Sequence, residues 1–373
     1  MKKILFLINT LGGGGAERVL VNLVNKLDRK KYKITVETMY GGGINQKDLL
    51  PDIEYIEKNA ICFRGVSKLY KFIPSKFLYK YFIGSKKYDM IVSYMHGAPA
   101  KVVSGCLDKK IKRIVWLHNG DMVNSEFFGF WLTKRMAINA YRSYDAIVGV
   151  ANSVISAFAS YTEITDKIYV VHNTNDFEKI QDQSKLLPEL SFNKNKMLIT
   201  TVGRIDNSKG YDRLIPIAKK LHDEGFQFDL VIVGTGRDYR KLSQLVTDLN
   251  AKDYIHMIGF RPNPYSIIAV SDLFVSSSRF EGLSTVISEA IILGVPVLST
   301  DVSGAKEVLG KNNEYGVVVE NNNDALYKGL KSLLMNSKLL EIYREKAKKR
   351  ASFFDPSKTV KEAEELIDNI FNM

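Results

Sequence analysis

The sequence predicts an α/β protein built from two doubly wound domains, and three observations carry that expectation. Short apolar runs alternate with amphipathic helical stretches along the chain, as in a parallel sheet covered by helices on both faces. The alternation lapses once, over the polar stretch Asp182–Asn195 with Pro188 inside it, which reads as a linker, and then starts afresh. A chain of 373 residues is also long enough for two cores of ordinary size. The expected domains are residues 1–178 and 179–356, with the C-terminal stretch 357–373 packing back onto the first. Such folds bind ligands at the carboxyl ends of their strands, here in a shared cleft.

Taken in order, the first apolar run, Ile4–Ile8, reads as a buried strand. It is too short for a secretion signal, and no clean small-residue cleavage site follows it. Gly12–Gly15 then leads into a helix over Ala16–Leu27. Strands are expected at Ile34–Met39, Met90–Tyr94, Ile111–Leu117, Ala146–Val150 and Ile168–Val171, with helices at Trp131–Tyr141 and Val154–Tyr161 among the segments between them. After the linker, strands recur at Met197–Val202, Phe228–Val233, Ile255–Ile258, Leu273–Val275, Val295–Ser299 and Val317–Val319. Val360, Ala363, Leu366, Ile367 and Ile370 give the tail Ser357–Phe371 helical spacing. No run approaches the ~20 apolar residues of a membrane span, so the chain is not expected to cross one.

With 45% hydrophobic and 25% charged residues, the composition is that of an ordinary soluble globular protein. The two cysteines, Cys62 and Cys106, are too far apart for a metal or redox motif, which fits a reducing cytoplasm. The net charge of +12 is uneven: residues 1–180 carry 27 Lys/Arg against 16 Asp/Glu, and the remainder 26 against 25. An acidic partner for the first half is the simplest reason for this. Arg64–Lys87 concentrates the excess, with seven Lys/Arg, no acid, and Tyr70, Phe72, Phe77, Tyr79, Tyr81 and Phe82 interleaved. That pattern suits an anionic membrane leaflet. The alternative is a partly buried helical pair with a solvated basic face. No nucleic-acid-binding module surrounds the segment, and no nucleic-acid partner is expected.

The chemistry-bearing residues gather after strands of the second domain. Leu273–Val275 leads into a turn at Glu281-Gly282, and Ser284 or Thr285 is the candidate N-cap of an amphipathic helix, Val286–Leu293, stopped by Gly294 and Pro296. A helix N-terminus offers unpaired N–H groups and partial positive charge, so this turn suits a phosphate. Glu281 falls in the loop and Glu289 eight residues later on the helix. One carboxylate can then meet a polar group beyond the phosphate, and the other a group beside it, such as a ribose.

Upstream, Gly203-Arg204 closes one strand and Lys209-Gly210 opens the next helix. A planar Arg fork and a Lys point charge flanking one loop can grip a diphosphate from two sides. Gly234-Thr235-Gly236 closes the following strand and permits close backbone approach. Singly, each feature is compatible with a solvated surface; their occurrence after strands of one domain favours a shared site. In the first domain the Gly12–Gly15 loop fails the dinucleotide fingerprint, because Glu17 or Arg18 stands where its last glycine is required. The Walker lysine is missing too. A generic tight turn is the alternative there.

Together these motifs resemble the retaining glycosyltransferases of the GT-B fold, family four (the group 1 type), over nearly the whole chain. Gly-Gly-Ala-Glu-Arg at 14–18, Gly-Arg…Lys-Gly at 203–210, Glu281 with Glu289, Gly-Phe at 259–260 and Pro-Val-Leu-Ser-Thr-Asp at 296–301 carry the resemblance. It is nearest to bacterial enzymes of capsular, O-antigen and related lipid-linked polysaccharides. The resemblance implies two Rossmann-like domains with parallel sheets facing across a cleft, the N-terminal one for the acceptor and the C-terminal one for a nucleotide-sugar donor, with UDP as its nucleotide. It further implies that Arg204 and Lys209 neutralise the diphosphate and that Glu289 takes the ribose hydroxyls. Glu281 contacts the donor sugar, and Gly282, Leu283 and Ser284 hold its hydroxyls. Gly203, Gly234 and Arg261 join the nucleotide site, and Gly13 and Gly14 approach from the first domain. His118, in Trp116-Leu117-His118-Asn119, matches the family histidine near the donor sugar. Asn173 fits the interdomain segment, where Thr174 replaces the usual glycine.

No Asp-x-Asp pair occurs, so neither a metal nor another cofactor is expected, and positive side chains take the ion's place. The implied chemistry is same-face attack through an oxocarbenium-like state, with the phosphate as base and without Glu281 as a covalent nucleophile. The implied acceptor is a lipid-diphosphate-linked glycan, met by a cytoplasmic enzyme resting on the inner face of the plasma membrane through residues 64–87. A nucleotide-sugar epimerase of the same architecture, or a non-catalytic nucleotide- or glycan-binding module, are the other readings.

Overall fold

Apolar runs become parallel strands in both halves of the chain. The computed structural model describes residues 1–58, 60, 69–120, 128–188, 193 and 195–373. The chain divides into two units, Met1–Thr174 with Pro356–Met373, and Asn175–Asp355. The first contains β1 (Lys2–Ile8), β2 (Tyr32–Thr38), β3 (Glu54–Glu57), β4 (Met90–Ser93), β5 (Lys112–Leu117), β6 (Ala146–Gly149) and β7 (Ile168–Val170). They form one seven-stranded sheet in the order β3-β2-β1-β4-β5-β6-β7, every pairing parallel. Ile4 to Ile8 are wholly buried, as expected of a central strand covered on both faces.

β3 escaped the sequence reading. Its Glu54-Tyr55-Ile56-Glu57 has no apolar run because it is an edge strand paired only with β2, Thr35 opposite Glu54. The helix expected from Trp131 starts later, at Lys134, because Thr133 Oγ1 accepts the Met136 N–H (3.2 Å) and caps it there.

The second unit contains β8 (Met197–Val202), β9 (Phe228–Val233), β10 (Ile255–Gly259), β11 (Leu273–Ser276), β12 (Val297–Thr300) and β13 (Val317–Val319). Their order is β10-β9-β8-β11-β12-β13, again all parallel. The stretch read as a linker begins inside helix Phe177–Ser184, whose residues belong to this unit, and residues 189–192 and 194 lie outside the described ones.

In each sheet the chain first builds outward on one side and then crosses to the other, so the strand order reverses beside β1 and beside β8. Loops leaving the carboxyl ends of strands at such a switch point splay apart and leave a crevice. The C-terminal helix Pro356–Asn372 buries Val360, Ala363, Leu366, Ile367 and Ile370. It is tied to the first unit: Lys31 and Tyr32 both hydrogen-bond Asp368, the Asp28 N–H donates to Glu364 (2.7 Å), and His172 contacts Glu362 (3.1 Å). No described helix is long and apolar enough to cross a membrane.

Candidate active site

The crevice beside β8 collects the charged residues singled out in the sequence. Lys209 Nζ donates to Glu281 Oε1 at 2.5 Å, and Ser278 Oγ donates to the same oxygen at 2.7 Å. Lys209 comes from the 3₁₀ turn Asn207–Lys209 after β8, and Glu281 from the turn after β11, the strand beside β8. Both side chains are largely shielded, which strengthens the attraction relative to a surface pair. Gly210 makes this approach possible. Its φ is +66°, and a Cβ there would run into the Ser277 carbonyl. Gly234 has φ +141°, and a Cβ there would meet the Gly203 carbonyl, so the ends of β8 and β9 pack backbone to backbone.

Arg204 points outward, its side chain 72% exposed, and Nε donates to Asp206 Oδ2 (2.6 Å). Burial works against the Asp206 carboxylate, but hydrogen bonds from Ser208 and Arg204, with the Arg204 charge, hold it below the usual range. Arg204 is thereby aimed and still accessible. Helix Thr285–Ile292 follows the Glu281 turn. Ser284 holds its N-cap position, but its side chain makes no capping hydrogen bond, and its Oγ is buried without a hydrogen-bond partner among the described residues. The expected capping hydroxyl thus stands at the helix start without bonding there. The loop Gly282–Ser284 lies against Gly304, where a Cβ would meet the Gly282 carbonyl.

Glu289 is buried on that helix, and Tyr265 OH donates to its Oε1 at 3.4 Å. Tyr265 was not anticipated; the only available signal was its place in Asn-Pro-Tyr shortly after β10. Arg261 donates to the carbonyl of its neighbour Phe260 (3.3 Å). Among the described residues, no group of three or more His, Cys, Asp or Glu is arranged to hold a metal.

The crevice beside β1 is different. Gly14 precedes helix Gly15–Lys26, and the carboxylate of Glu17 lies against it, where a Cβ on Gly14 would collide with it. Asn45 braces the loop, donating from Nδ2 to the Gly12 carbonyl and from its N–H to that of Leu11 (3.0 Å); Ile44 packs beside Gly13. His118 follows β5, its ring centre 4.7 Å from that of Tyr94 and tilted 50° to it, with Nε2 enclosed and without a hydrogen-bond partner among the described residues. Burial, with the neighbouring His96, pushes its imidazole down to about 3. It is neutral at ordinary pH, able to exchange a hydrogen bond with a hydroxyl but carrying no charge for a phosphate. Asn173 and Thr174 are buried, Asn22 Nδ2 donates to the Thr174 carbonyl (3.1 Å), and Thr174 has no positive φ, so its turn needs no glycine. Cys106 is a buried free thiol; Cys62 lies outside the described residues.

Residues 64–68 of the basic-aromatic segment also lie outside the described residues. Its remainder includes helix Ser75–Phe82, which buries Leu78 and Phe82 and leaves Phe77, Tyr81, Lys76 and Lys80 exposed, with Leu69 and Phe72 exposed just before it. One face of this helix is core and the other is aromatic and basic. Buried Lys101 holds this surface in place, its Nζ donating to the carbonyls of Tyr70 (2.5 Å) and Phe130 (2.6 Å).

Comparison with known proteins agrees. Residues 13–179 match the family described as Glycosyltransferase Family 4, and residues 182–350 that described as Glycosyl transferases group 1. Over 97% of this chain and 98% of the relative, the sequence is 29% identical to N-acetylgalactosamine-N,N'-diacetylbacillosaminyl-diphospho-undecaprenol 4-alpha-N-acetylgalactosaminyltransferase of Campylobacter jejuni. It is 23% identical, over the full length of both chains, to GalNAc-alpha-(1->4)-GalNAc-alpha-(1->3)-diNAcBac-PP-undecaprenol alpha-1,4-N-acetyl-D-galactosaminyltransferase of the same organism. The crystal structure of Anabaena HepE in complex with UDP and glucose superposes with a TM-score of 0.78 over 99% of this chain and all of that one, at 20% identity. The fold is therefore that of the GT-B glycosyltransferases, and the protein is a transferase enzyme. Within that class the chain belongs to glycosyltransferase family four, of the group 1 type.

Proposed function

We propose that the protein is a retaining glycosyltransferase that moves a hexose or N-acetylhexosamine from a UDP-sugar to a lipid-diphosphate-linked glycan. Its product would serve capsular, exopolysaccharide or related surface-glycan synthesis. The observation that carries this reading is the meeting of Lys209 and Glu281 at the switch point beside β8, with exposed Arg204 and an uncapped helix start around it. The names of the Campylobacter relatives, which include undecaprenol-linked saccharides, and the UDP and glucose in the HepE structure support the choice of acceptor and donor.

In this reading the second unit, Asn175–Asp355, takes the donor and the first the acceptor. Arg204 and Lys209 bind the diphosphate together with the helix start, Gly203, Gly234 and Arg261, and Glu289 holds the ribose with Tyr265 beside it. Lys209 exchanges Glu281 for phosphate oxygen, which releases a carboxylate oxygen to the sugar hydroxyls. Gly282, Leu283 and Ser284 present backbone N–H groups to the same sugar. His118, and the loop at Gly13 and Gly14, serve the sugar and acceptor as neutral groups. The bond from sugar C1 to the β-phosphate oxygen breaks as the acceptor oxygen bonds to C1 on the same face. The acceptor proton passes to the departing phosphate. Negative charge building on that phosphate meets Arg204, Lys209 and the helix dipole, which act in place of a metal ion. The exposed surface of Leu69, Phe72, Phe77, Tyr81, Lys76 and Lys80 rests on an anionic cytoplasmic leaflet where the acceptor is anchored.

A metal-free thermal-shift series with UDP, GDP, their common sugar conjugates and NAD tests the donor reading. A ligand of the native state raises the melting temperature with the logarithm of its concentration over its Kd. UDP and one UDP-sugar should raise it and NAD should not; a series with no nucleotide shift overturns the reading.

A further inference from the structure

We propose that Arg213 is a positioning residue for this reaction: a buried guanidinium that fixes the backbone on which Lys209 and Glu281 meet. The proposal rests on the reading of those two residues as the donor site.

Arg213 lies in the first turn of helix Tyr211–Asp223 and is 6% exposed. Its Nε and Nη2 donate to the Ser277 carbonyl (3.0 and 2.7 Å), and Nη2 also to the Ser278 carbonyl (2.8 Å) and to Asn321 Oδ1 (2.7 Å). All of these acceptors are neutral oxygens. A buried cation is tolerated only where hydrogen bonds take up its charge, and here Nε and Nη2 are met by the carbonyls of two successive residues and by Asn321. The same two residues reach the site through their side chains. Ser277 Oγ donates to the Lys209 carbonyl (2.9 Å), and Ser278 Oγ to Glu281 Oε1 (2.7 Å). Arg213 therefore holds the carbonyls while the hydroxyls hold Lys209 and Glu281. Thr300 Oγ1 donates to the Ser278 carbonyl as well (2.6 Å), which fixes it from β12.

A second clamp closes the outer side of the turn. Arg279 pairs with Asp212 through both oxygens (2.7 and 2.8 Å) and donates to the Asn207 carbonyl (2.9 Å), and its N–H donates to that of Ser208 (2.7 Å). This pair is partly exposed and screened by solvent, whereas Arg213 is not. A fork that reaches two carbonyls and an amide at once cannot be reproduced by a lysine point charge. Arg213→Lys therefore keeps the charge and loses the geometry.

The test uses the full chain, with Arg213→Lys, Asn321→Ala as a milder variant, and Glu281→Gln as reference. Three quantities are read: UDP affinity, hydrogen exchange of amides 276–282, and UDP release from UDP-N-acetylgalactosamine or UDP-glucose, whichever the wild type uses faster. Arg213→Lys should fold and bind UDP within about threefold of wild type, while exchange over 276–282 quickens about tenfold. Its turnover should fall about ten- to a hundredfold, the scale of a small misplacement of catalytic groups. Asn321→Ala should move turnover in the same direction by a few-fold. Wild-type turnover in Arg213→Lys, or an equal loss of UDP affinity and turnover, overturns the proposal. If Arg213→Lys does not fold, wild-type turnover in Asn321→Ala overturns it. An inactive Glu281→Gln beside a fully active Arg213→Lys sinks this inference alone; an active Glu281→Gln sinks the donor-site reading and this inference with it.

Discussion

The two switch points of this protein share a plan and differ in outcome. At each, a central parallel strand gives way to a glycine-bearing loop and then a helix. Beside β8, two loops bring a lysine, a glutamate and an accessible arginine to one place. Beside β1, the loop closes on itself through Asn45, and the helix start carries its own glutamate, Glu17. Its polar contribution comes from His118, which burial keeps neutral. A glycine-rich turn therefore does not gather charge by itself; the loops beside β8 do so by bringing Arg204, Lys209 and Glu281 together. The net charge points the other way, since the first half of the chain is the basic half. Part of that excess, Lys76 and Lys80, lies on the outer surface, whereas Arg204 and Lys209 belong to a half that is nearly neutral.

The sharpest way to break this contrast is to remove its charged pole. Glu281→Ala should cost about 10²- to 10³-fold in turnover, the scale of losing one preorganised polar group at a developing charge, while UDP binding largely survives. Lys209→Ala should lower both UDP affinity and turnover, because it removes a charge from the diphosphate. Steady-state turnover with calorimetric UDP titration separates the two patterns. Undiminished turnover in Glu281→Ala would remove that residue from the site and leave the contrast to Lys209 and Arg204 alone.

Most of the strand framework was legible because buried parallel strands are nearly continuous apolar runs. β1, β8 and β9 fall where Ile4–Ile8, Met197–Val202 and Phe228–Val233 predicted them. β3 was hidden by the charged residues of an edge position. The capping hydroxyl at Ser284 was a reasonable expectation from residue type, but cap formation depends on a rotamer the sequence does not encode. The motif residues Lys209 and Glu281 were legible through family spacing, and their direct contact was not, since 72 positions separate them. Arg213 and Tyr265 were invisible for a related reason. Each acts through a partner far along the chain, and only the packing of the turn after β11 gives them a role.

The outer surface of the first unit sharpens the comparison in a second way. If its lysines serve a membrane and not the donor, reversing Lys71, Lys76 and Lys80 to glutamate should abolish sedimentation with anionic liposomes and leave UDP affinity unchanged. Each lysine near an anionic leaflet contributes about 1 kcal/mol, so three removals already cost a hundredfold or more. Reversal should add repulsion. Binding to liposomes that survives the triple reversal would assign this surface to something other than lipid.

The smallest expected effect concerns the neutral pole. His118 has its pKa lowered from 6.5 to about 3, first by burial and then by His96. As pH falls below 6.5 the unfolded chain takes up a proton at this residue and the folded chain does not, so stability is lost with acidification. Above 6.5 neither state binds the proton and the term vanishes. The slope for one such group is about 1.4 kcal/mol per pH unit between these limits. His118→Asn has nothing to titrate there. Its stability should fall less than that of the wild type between pH 6.5 and pH 5, a difference measurable by urea unfolding at the two pH values. Parallel losses in the two proteins would mean that His118 is protonated in the folded state. The crevice beside β1 would then hold a cation after all, and the division into a charged and a neutral pole would fail.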